Sequence, residues 1–95
     1  MNSMHYELSR NDGARQYELT IDGDVAGYAS FHERGEVLVL PHTVVEPQFR
    51  GQGLSRPLIQ YALDDARTRG LKVEPLCSAV RGFIERNPDY QDLTA

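Results

Sequence analysis

The hydrophobic pattern of this chain changes at a glycine-rich turn, residues 48–53, which read Gln-Phe-Arg-Gly-Gln-Gly. Before the turn, apolar residues alternate with polar ones or form one short continuous run, as they do in β-strands. After the turn, Leu58, Ala62 and Ala66 recur at the spacing of one helix face. The turn therefore joins a strand to a long helix, which restricts the chain to folds that pack helices on a sheet.

Turn residues divide the first half of the chain into strands. We predict strands at residues 6–9, 16–21, 25–31 and 37–45, separated by Asn11-Asp12-Gly13, Asp22-Gly23 and Arg34-Gly35. Asp-Gly between two strand-like segments is a strong hairpin signal, so this part of the sheet should be antiparallel. Pro41 lies inside the last strand, where it cannot donate a ladder hydrogen bond. We expect a bulge or an unpaired edge at residues 41–45.

The second half of the chain has a helix–strand–helix pattern. Pro57 fits only the first turn of a helix, so the first helix should begin within residues 54–56 and end at Gly70. We predict a strand at residues 71–76, and a second helix at 79–86 that Ser78 caps. A strand, a helix and a further strand indicate a parallel crossover. The expected fold class is α/β, with a mixed α+β sheet.

Size, charge and cysteine content narrow the classes of protein. The 95 residues suffice for one domain, residues 1–95. Fourteen acidic and ten basic residues give a net charge of -4, which argues against general nucleic-acid binding and weakly favours a cationic ligand. The sequence has no apolar run of membrane-spanning length and no secretory signal, so we expect no membrane partner. A single cysteine, Cys77, suggests a reducing, cytoplasmic location.

The glycine turn has the chemistry of an anion site. Gly51 and Gly53 let the backbone approach a bulky ligand, and the helix start supplies N–H groups and partial positive charge. Arg50 and Arg56 add formal charge, so residues 51–55 could bind a pyrophosphate. The same glycines could instead form only a tight turn, and the residues alone leave both interpretations open. A P-loop or a dinucleotide fingerprint fits poorly, because the P-loop lysine and a third glycine are missing.

Four ordered motifs give the sequence a family resemblance. They are His42-Thr43-Val44-Val45, Arg50-Gly51-Gln52-Gly53-Leu54, Pro75-Leu76-Cys77, and residues 83–90, Phe-Ile-Glu-Arg-Asn-Pro-Asp-Tyr. Their order over the C-terminal half of the chain resembles the GCN5-related N-acetyltransferase superfamily, in its small, single-domain, YjdJ-type branch. The resemblance implies a minimal acetyltransferase fold in a single N-acetyltransferase-like domain, residues 1–95, with acetyl-CoA as the cosubstrate.

The resemblance also implies a set of cofactor-binding residues. The pyrophosphate would lie on the glycine turn, and the pantetheine arm would pair with the disrupted strand. The implied residues are Thr43, Val44, Val45, Arg50, Gly51, Gln52, Gly53, Leu54, Ser55, Arg56, Arg81 and Asn87. Of these, Arg81 and Asn87 would contact the nucleotide or its 3′-phosphate. The alternative for these two residues is a solvated helix face and a helix stop.

Cys77 is the candidate nucleophile. Larger members of the superfamily have an asparagine after the fifth strand and a tyrosine, commonly the general acid, on the next helix. Cys77 and Ile84 fall near those two positions, and isoleucine cannot donate a proton. A cysteine before a helix N-terminus favours the thiolate, which could accept the acetyl group and pass it on. The alternative is that Cys77 is a small buried hydrophobic residue.

His42 is the candidate general base, because histidine titrates near neutral pH. With no bulge before it, His42 should share a strand face with Leu38 and Leu40; a structural histidine is the alternative. The three histidines show no ligand spacing, so we expect no metal site. We predict an acetyltransferase that acts on an unidentified amine of a small molecule or protein. The alternative is a non-catalytic CoA- or acyl-CoA-binding module.

Overall fold

The computed structural model of this chain describes residues 5–94. Within that range, seven strands and two α-helices follow one another in a mixed α+β arrangement. They are β1 (Glu7–Asn11), β2 (Gln16–Ile21), β3 (Asp24–Ser30), β4 (His32–Arg34), β5 (Val37–Leu40), β6 (Thr43–Val45), α1 (Ser55–Thr68), β7 (Lys72–Pro75) and α2 (Ser78–Arg86). Short 3₁₀ helices lie at Pro47–Phe49 and Pro88–Leu93. The predicted fold class is confirmed.

The strands form two sheets. Strands β1, β2, β3 and β6 make an antiparallel sheet in that spatial order, and β4, β5 and β7 make the second. In the second sheet β5 and β7 are parallel, with Val37 opposite Lys72, so the predicted crossover through α1 is confirmed. The predicted hairpin at Asp22-Gly23 is also present, and both residues have the positive φ, 53° and 84°, that its tight turn requires.

The prediction of a single strand at residues 37–45 was wrong. Strand β5 ends at Leu40, β6 begins at Thr43, and the two strands belong to different sheets. The break falls at Pro41, which has no N–H to continue the ladder. The expected unpaired edge is nevertheless present. Strand β6 pairs with β3, and no strand within residues 5–94 pairs with its other side.

Strand β4 was missed, since its three residues, His32 to Arg34, are all exposed and carry no apolar alternation. It pairs antiparallel with β5, with His32 opposite Val39. A short polar strand at the edge of a sheet gives no periodic signal, because neither of its faces is buried in the core. Tertiary pairing with β5 therefore decides this element.

Helix α1 packs its predicted apolar stripe into the core, against β2, β3, β6 and β7. The helix begins at Ser55 and is followed by Gly70, whose φ of 72° ends it, as expected. Its buried residues are Leu58, Ile59, Ala62, Leu63 and Ala66. The predicted N-cap of α2 was wrong by one residue. Cys77 is the N-cap, since its backbone is extended and its carbonyl accepts from the N–H of Arg81, whereas Ser78 is already helical.

A polar cluster around Arg10 ties β1 to the rest of the domain. The Arg10 side chain is 11% exposed and donates to Asp12, Glu33 and Asp65 at 2.6, 2.9 and 3.0 Å. The hydroxyl of Tyr17 donates to Asp65 at 2.7 Å. We call this set, Arg10, Asp12, Tyr17, Glu33 and Asp65, the Arg10 cluster. Glu33 and Asp65 are far from Arg10 in sequence, so no local pattern indicated the whole cluster.

No helix within residues 5–94 is long and apolar enough to cross a bilayer.

Candidate functional site

The outer side of β6 presents backbone groups that no other strand within residues 5–94 pairs with. Backbone hydrogen bonds join β3 to His42 and Glu46, the residues that flank β6. Because hydrogen-bonded pairs alternate along an antiparallel ladder, the N–H and C=O groups of Thr43 and Val45 point away from β3. The Val45 carbonyl accepts a hydrogen bond from Arg50 Nε at 2.9 Å. This edge can therefore pair with the amides of an extended ligand, as a further strand would.

The glycine turn leaves open space in front of the N-terminus of α1. Gly51 and Gly53 have φ of 84° and 72°, in the left-handed region that favours glycine. A Cβ added at either position would have no atom within 4 Å, so the backbone faces unfilled space. No side chain caps the helix at Leu54, and its first N–H groups point into the same region. The turn fits a diphosphate group, with the guanidinium of Arg50 at its side.

Two clefts meet at β6. The first, which we call the glycine cleft, has a volume of about 370 Å³. It is lined by Thr43, Val44, Val45, Phe49, Arg50, Gly51, Gly53, Leu54 and Ser55. The second, the cysteine cleft, has a volume of about 620 Å³. It is lined by Tyr28, Ser30, Pro41, His42, Thr43, Val44, Leu76, Cys77, Ser78 and Arg81. Thr43 and Val44 line both, so one strand connects the glycine turn with the cysteine.

Cys77 lies at the N-terminus of α2, partly buried, with its sulfur 3.6 Å from the hydroxyl oxygen of Thr43. Burial raises the pKa of the thiol. The hydrogen bond between the thiol and the Thr43 hydroxyl, together with those from the N–H groups of Val80, Ala79 and Thr43, lowers it by more, and the resulting pKa is below the ordinary value. The surroundings of Cys77 therefore favour a thiolate, the form of cysteine that attacks a carbonyl carbon.

His42 does not lie where the strand pattern predicted. It is exposed between β5 and β6, whereas Leu38 and Leu40 are buried, so the shared strand face is wrong. The break in the ladder at Pro41 turns the chain out of the β5 alternation. His42 and Cys77 nevertheless line the same cleft. The expected position of His42 on the β5 strand face did not predict this proximity.

Four of the predicted cofactor-binding residues do not line the glycine cleft. Arg56 and Asn87 line a third cleft of about 260 Å³ between α1 and α2, together with Ser55, Ile59, Ala79, Phe83 and Arg86. Asn87 is held there by a hydrogen bond from its amide to the carbonyl of Phe83, at 2.8 Å. Arg81 lines the cysteine cleft instead. Gln52 is exposed and lines none of these three clefts.

The sequence did not indicate several residues that line the cysteine cleft. Tyr28 and Ser30 line the cysteine cleft from β3, and Leu76 lines it while being 52% exposed. The i, i+2 spacing of Tyr28 and Ser30 places both on one strand face, but nothing local shows what that face meets. Within residues 5–94, no cluster of His, Cys, Asp and Glu is arranged to hold a metal ion.

A family model for the GCN5-related N-acetyl-transferases matches residues 16–93, which include β6, the glycine turn and Cys77. The chain belongs to this family. The match does not distinguish among the branches of the N-acetyltransferase family, so assignment to the YjdJ-type branch stays a prediction. No curated protein sequence matches the chain.

Solved structures share the N-acetyltransferase fold. A GCN5-like protein from Staphylococcus aureus superposes with a TM-score of 0.72 at 20% identity, over 94% of this chain and 87% of that one. The ribosomal-protein-S18-alanine N-acetyltransferase of Escherichia coli has a TM-score of 0.64 at 24% identity, over 76% of this chain and 51% of its own. The YhbS N-acetyltransferase of Escherichia coli, in complex with CoA, has a TM-score of 0.57 at 30% identity, over 67% of this chain and 41% of its own. This chain thus spans about half the length of the two Escherichia coli enzymes.

Proposed function

We propose that the chain is an acetyl-CoA-dependent N-acetyltransferase that binds its cosubstrate along β6 and transfers the acetyl group to an amine through Cys77. One observation carries the proposal. The unpaired edge of β6 runs from the glycine cleft to the cysteine cleft, and Thr43 lines both. The proposal is supported by membership of the family and by the CoA complex of the Escherichia coli YhbS enzyme.

The residues have separate roles in binding the cosubstrate. The N–H groups at Gly51, Gly53 and the start of α1 receive the diphosphate, which the guanidinium of Arg50 helps to neutralise. The outward C=O group of Thr43 and N–H group of Val45 pair with the amides of the pantetheine arm, because the Thr43 N–H already bonds the Cys77 sulfur and the Val45 C=O accepts from Arg50. The nucleotide then lies near the third cleft, where Arg56 and Asn87 are available. Arg81 does not contact the cosubstrate in this arrangement, because it lines the cysteine cleft.

The chemistry begins at the Cys77 sulfur. The thiolate attacks the carbonyl carbon of the thioester, an S–C bond forms at Cys77, and the bond to the CoA sulfur breaks, so CoA leaves as a thiolate that takes a proton from solvent. A neutral amine then attacks the new thioester, and Cys77 leaves as a thiolate. The proton lost by the amine goes to the His42 imidazole. This route needs no acid at Ile84, whose buried apolar side chain cannot supply one.

The first test is binding and adduct formation. Isothermal titration should show that acetyl-CoA and CoA bind, and mass spectrometry after incubation with acetyl-CoA should show one acetyl group. Cys77 is the only cysteine of the chain, so an adduct that hydroxylamine removes rapidly identifies that thiol. Cys77→Ala should bind CoA with wild-type affinity, form no adduct, and lose transfer to amines. Circular dichroism of the variant checks that it is folded.

The outcomes separate the two candidate functions. Acetyl transfer that persists in Cys77→Ala would reject the covalent route while leaving an N-acetyltransferase. CoA binding with neither adduct nor transfer to a panel of amines and peptides would favour a non-catalytic acyl-CoA-binding module. Absence of binding by both acetyl-CoA and CoA would reject both functions.

A further inference from the structure

The cysteine cleft has an unusual charge for this chain. Acidic residues outnumber basic ones, 14 to 10, over the whole sequence. The lining of the cysteine cleft nevertheless contains an arginine, Arg81, and no aspartate or glutamate. A cationic acceptor, which the net charge of -4 weakly favours, would find no counter-ion among these lining residues. The local charge at the site favours an anionic group instead.

Arg81 is held in an orientation that leaves part of its guanidinium available. Its Nη1 donates to the carbonyl oxygens of Pro75 and Leu76, at 3.1 and 2.8 Å. These bonds fix one end of the guanidinium at the point where β7 passes into α2. Among residues 5–94, no carboxylate pairs with Arg81, whereas Arg34 and Arg67 each pair with one. The Nε and Nη2 groups have the fork geometry that binds a carboxylate with two hydrogen bonds.

The rest of the cleft is suited to an apolar body. Leu76 is 52% exposed, which makes it the most exposed large hydrophobic residue in the described part of the chain. It lines the cleft with Pro41, Val44 and the ring of Tyr28. A ligand that covers Leu76 removes this apolar surface from water, which contributes favourably to binding. The volume of about 620 Å³ is within the usual range for a small-molecule site.

We infer that the amine acceptor is a small, apolar molecule with a carboxylate, of the leucine type, and that Arg81 binds that carboxylate. This inference rests on the proposed function, which places the acceptor in the cysteine cleft beside Cys77. Arg81 is then a specificity-determining residue that contacts the acceptor. It anchors the carboxylate end, while the amine lies toward the thioester and His42.

The experiment compares leucine with leucinamide, which has the same body and a neutral amide in place of the carboxylate. The wild-type protein should acetylate leucine with a kcat/KM roughly tenfold or more above that for leucinamide, as expected for charge-assisted hydrogen bonds. The amine of leucinamide is less basic, so more of it is neutral at a given pH. At neutral pH this larger neutral fraction offsets the greater nucleophilicity of the neutral amine of leucine, and the comparison with Arg81→Gln assigns any remaining preference to the carboxylate contact.

Arg81→Gln should remove that preference, because kcat/KM should fall roughly tenfold for leucine and far less for leucinamide. Arg69→Gln is the matched control, because it removes the same charge at the C-terminal end of α1, and it should keep the preference. The inference is overturned if the wild type uses leucinamide as well as leucine, or if Arg81→Gln keeps the wild-type ratio.

A binding measurement is independent of catalysis. In the CoA-bound protein labelled with ¹⁵N, the Nε–H signal of Arg81 should shift when leucine is added and should remain in place with leucinamide. The absence of a shift with leucine contradicts the inference whether or not transfer occurs. Failure of CoA binding or of Cys77 acetylation counts against the proposed function instead, so the two failures are distinguishable.

Discussion

The sulfur of Cys77 and the hydroxyl oxygen of Thr43 lie 3.6 Å apart, across the gap where the two sheets separate. Thr43 opens β6, which belongs to the first sheet, and Cys77 follows β7, which belongs to the second. The contact therefore joins the unpaired strand edge to the N-terminus of α2. It also brings a hydroxyl and a backbone N–H from β6 to the thiol. These groups lower the pKa of the thiol, as the N–H groups at the start of α2 also do.

Thr43→Val should raise the pKa of the Cys77 thiol, because valine has the shape of threonine without the hydroxyl that stabilises the thiolate. The rate of alkylation by iodoacetamide, measured against pH, reports that pKa, since only the thiolate reacts. The midpoint should move to higher pH in Thr43→Val and stay in place in Thr20→Val, whose threonine is on β2. An unchanged midpoint in Thr43→Val would show that the hydroxyl has no part in activating Cys77.

Gly51→Ala should weaken CoA binding and also lower the free energy of unfolding. At a φ of 84° an alanine is strained, at a cost of about 1 kcal/mol or somewhat more, and its methyl group enters the space proposed for the diphosphate. Gly23→Ala is a matched control, because Gly23 has the same φ of 84° and also has open space around it, in the distant β2–β3 hairpin.

Urea denaturation and isothermal titration with CoA distinguish the two glycines. Both variants should lose similar stability, and only Gly51→Ala should lose affinity. If the two variants bind CoA equally well, the glycine turn is a structural turn and not the diphosphate site.

Asp65→Asn should destabilise the protein by about 1 to 3 kcal/mol, because Arg10 and Tyr17 lose the charged acceptor of their hydrogen bonds. Burial raises the pKa of Asp65, but hydrogen bonds from Tyr17, Arg69 and Arg10 lower it further, and the net pKa is below its ordinary value. A carboxylate with a depressed pKa stabilises the folded state above its unfolded pKa of about 4, and this contribution is lost as the pH falls through the folded pKa.

The measurement for Asp65 is the free energy of unfolding in urea at pH 7 and at several values below pH 4. The wild type should lose stability on acidification, and Asp65→Asn should lose less, because it has no carboxylate to protonate at that position. Asp24→Asn, an exposed change in β3, should follow the wild type. A variant curve parallel to that of the wild type would rule out Asp65 as a source of acid sensitivity.

Arg50→Gln should lower the affinity for CoA several-fold, because a charge-assisted contact to the diphosphate is lost. The loss should shrink as salt is added, since a partly exposed pair is screened. Arg69→Gln, outside the proposed site, should bind CoA as the wild type does. Titration with CoA at low and high sodium chloride makes the comparison, and equal affinities of Arg50→Gln and the wild type at low salt would remove Arg50 from the site.

Local sequence rules predicted much of the fold. Asp22-Gly23 determined a hairpin because both residues tolerate positive φ, and Pro57 and Gly70 marked the two ends of α1 for reasons of backbone chemistry. Pro41 indicated a disturbance in a single strand over residues 37–45, but the pattern did not show that β5 and β6 are separate strands in two sheets. Short polar β4 was not predictable, since an exposed edge strand has no hydrophobic period.

The sequence indicated some residues of the candidate site but not their arrangement. The sequence by itself determined the glycine turn at the start of a helix and one cysteine before another helix, because turn conformation and helix ends are local properties. Only the tertiary structure decided that the unpaired edge of β6 connects them, that Arg81 and Asn87 line different clefts, and that Asp65 meets Arg10. These relations depend on how separated segments pack, and no spacing within one segment encodes them.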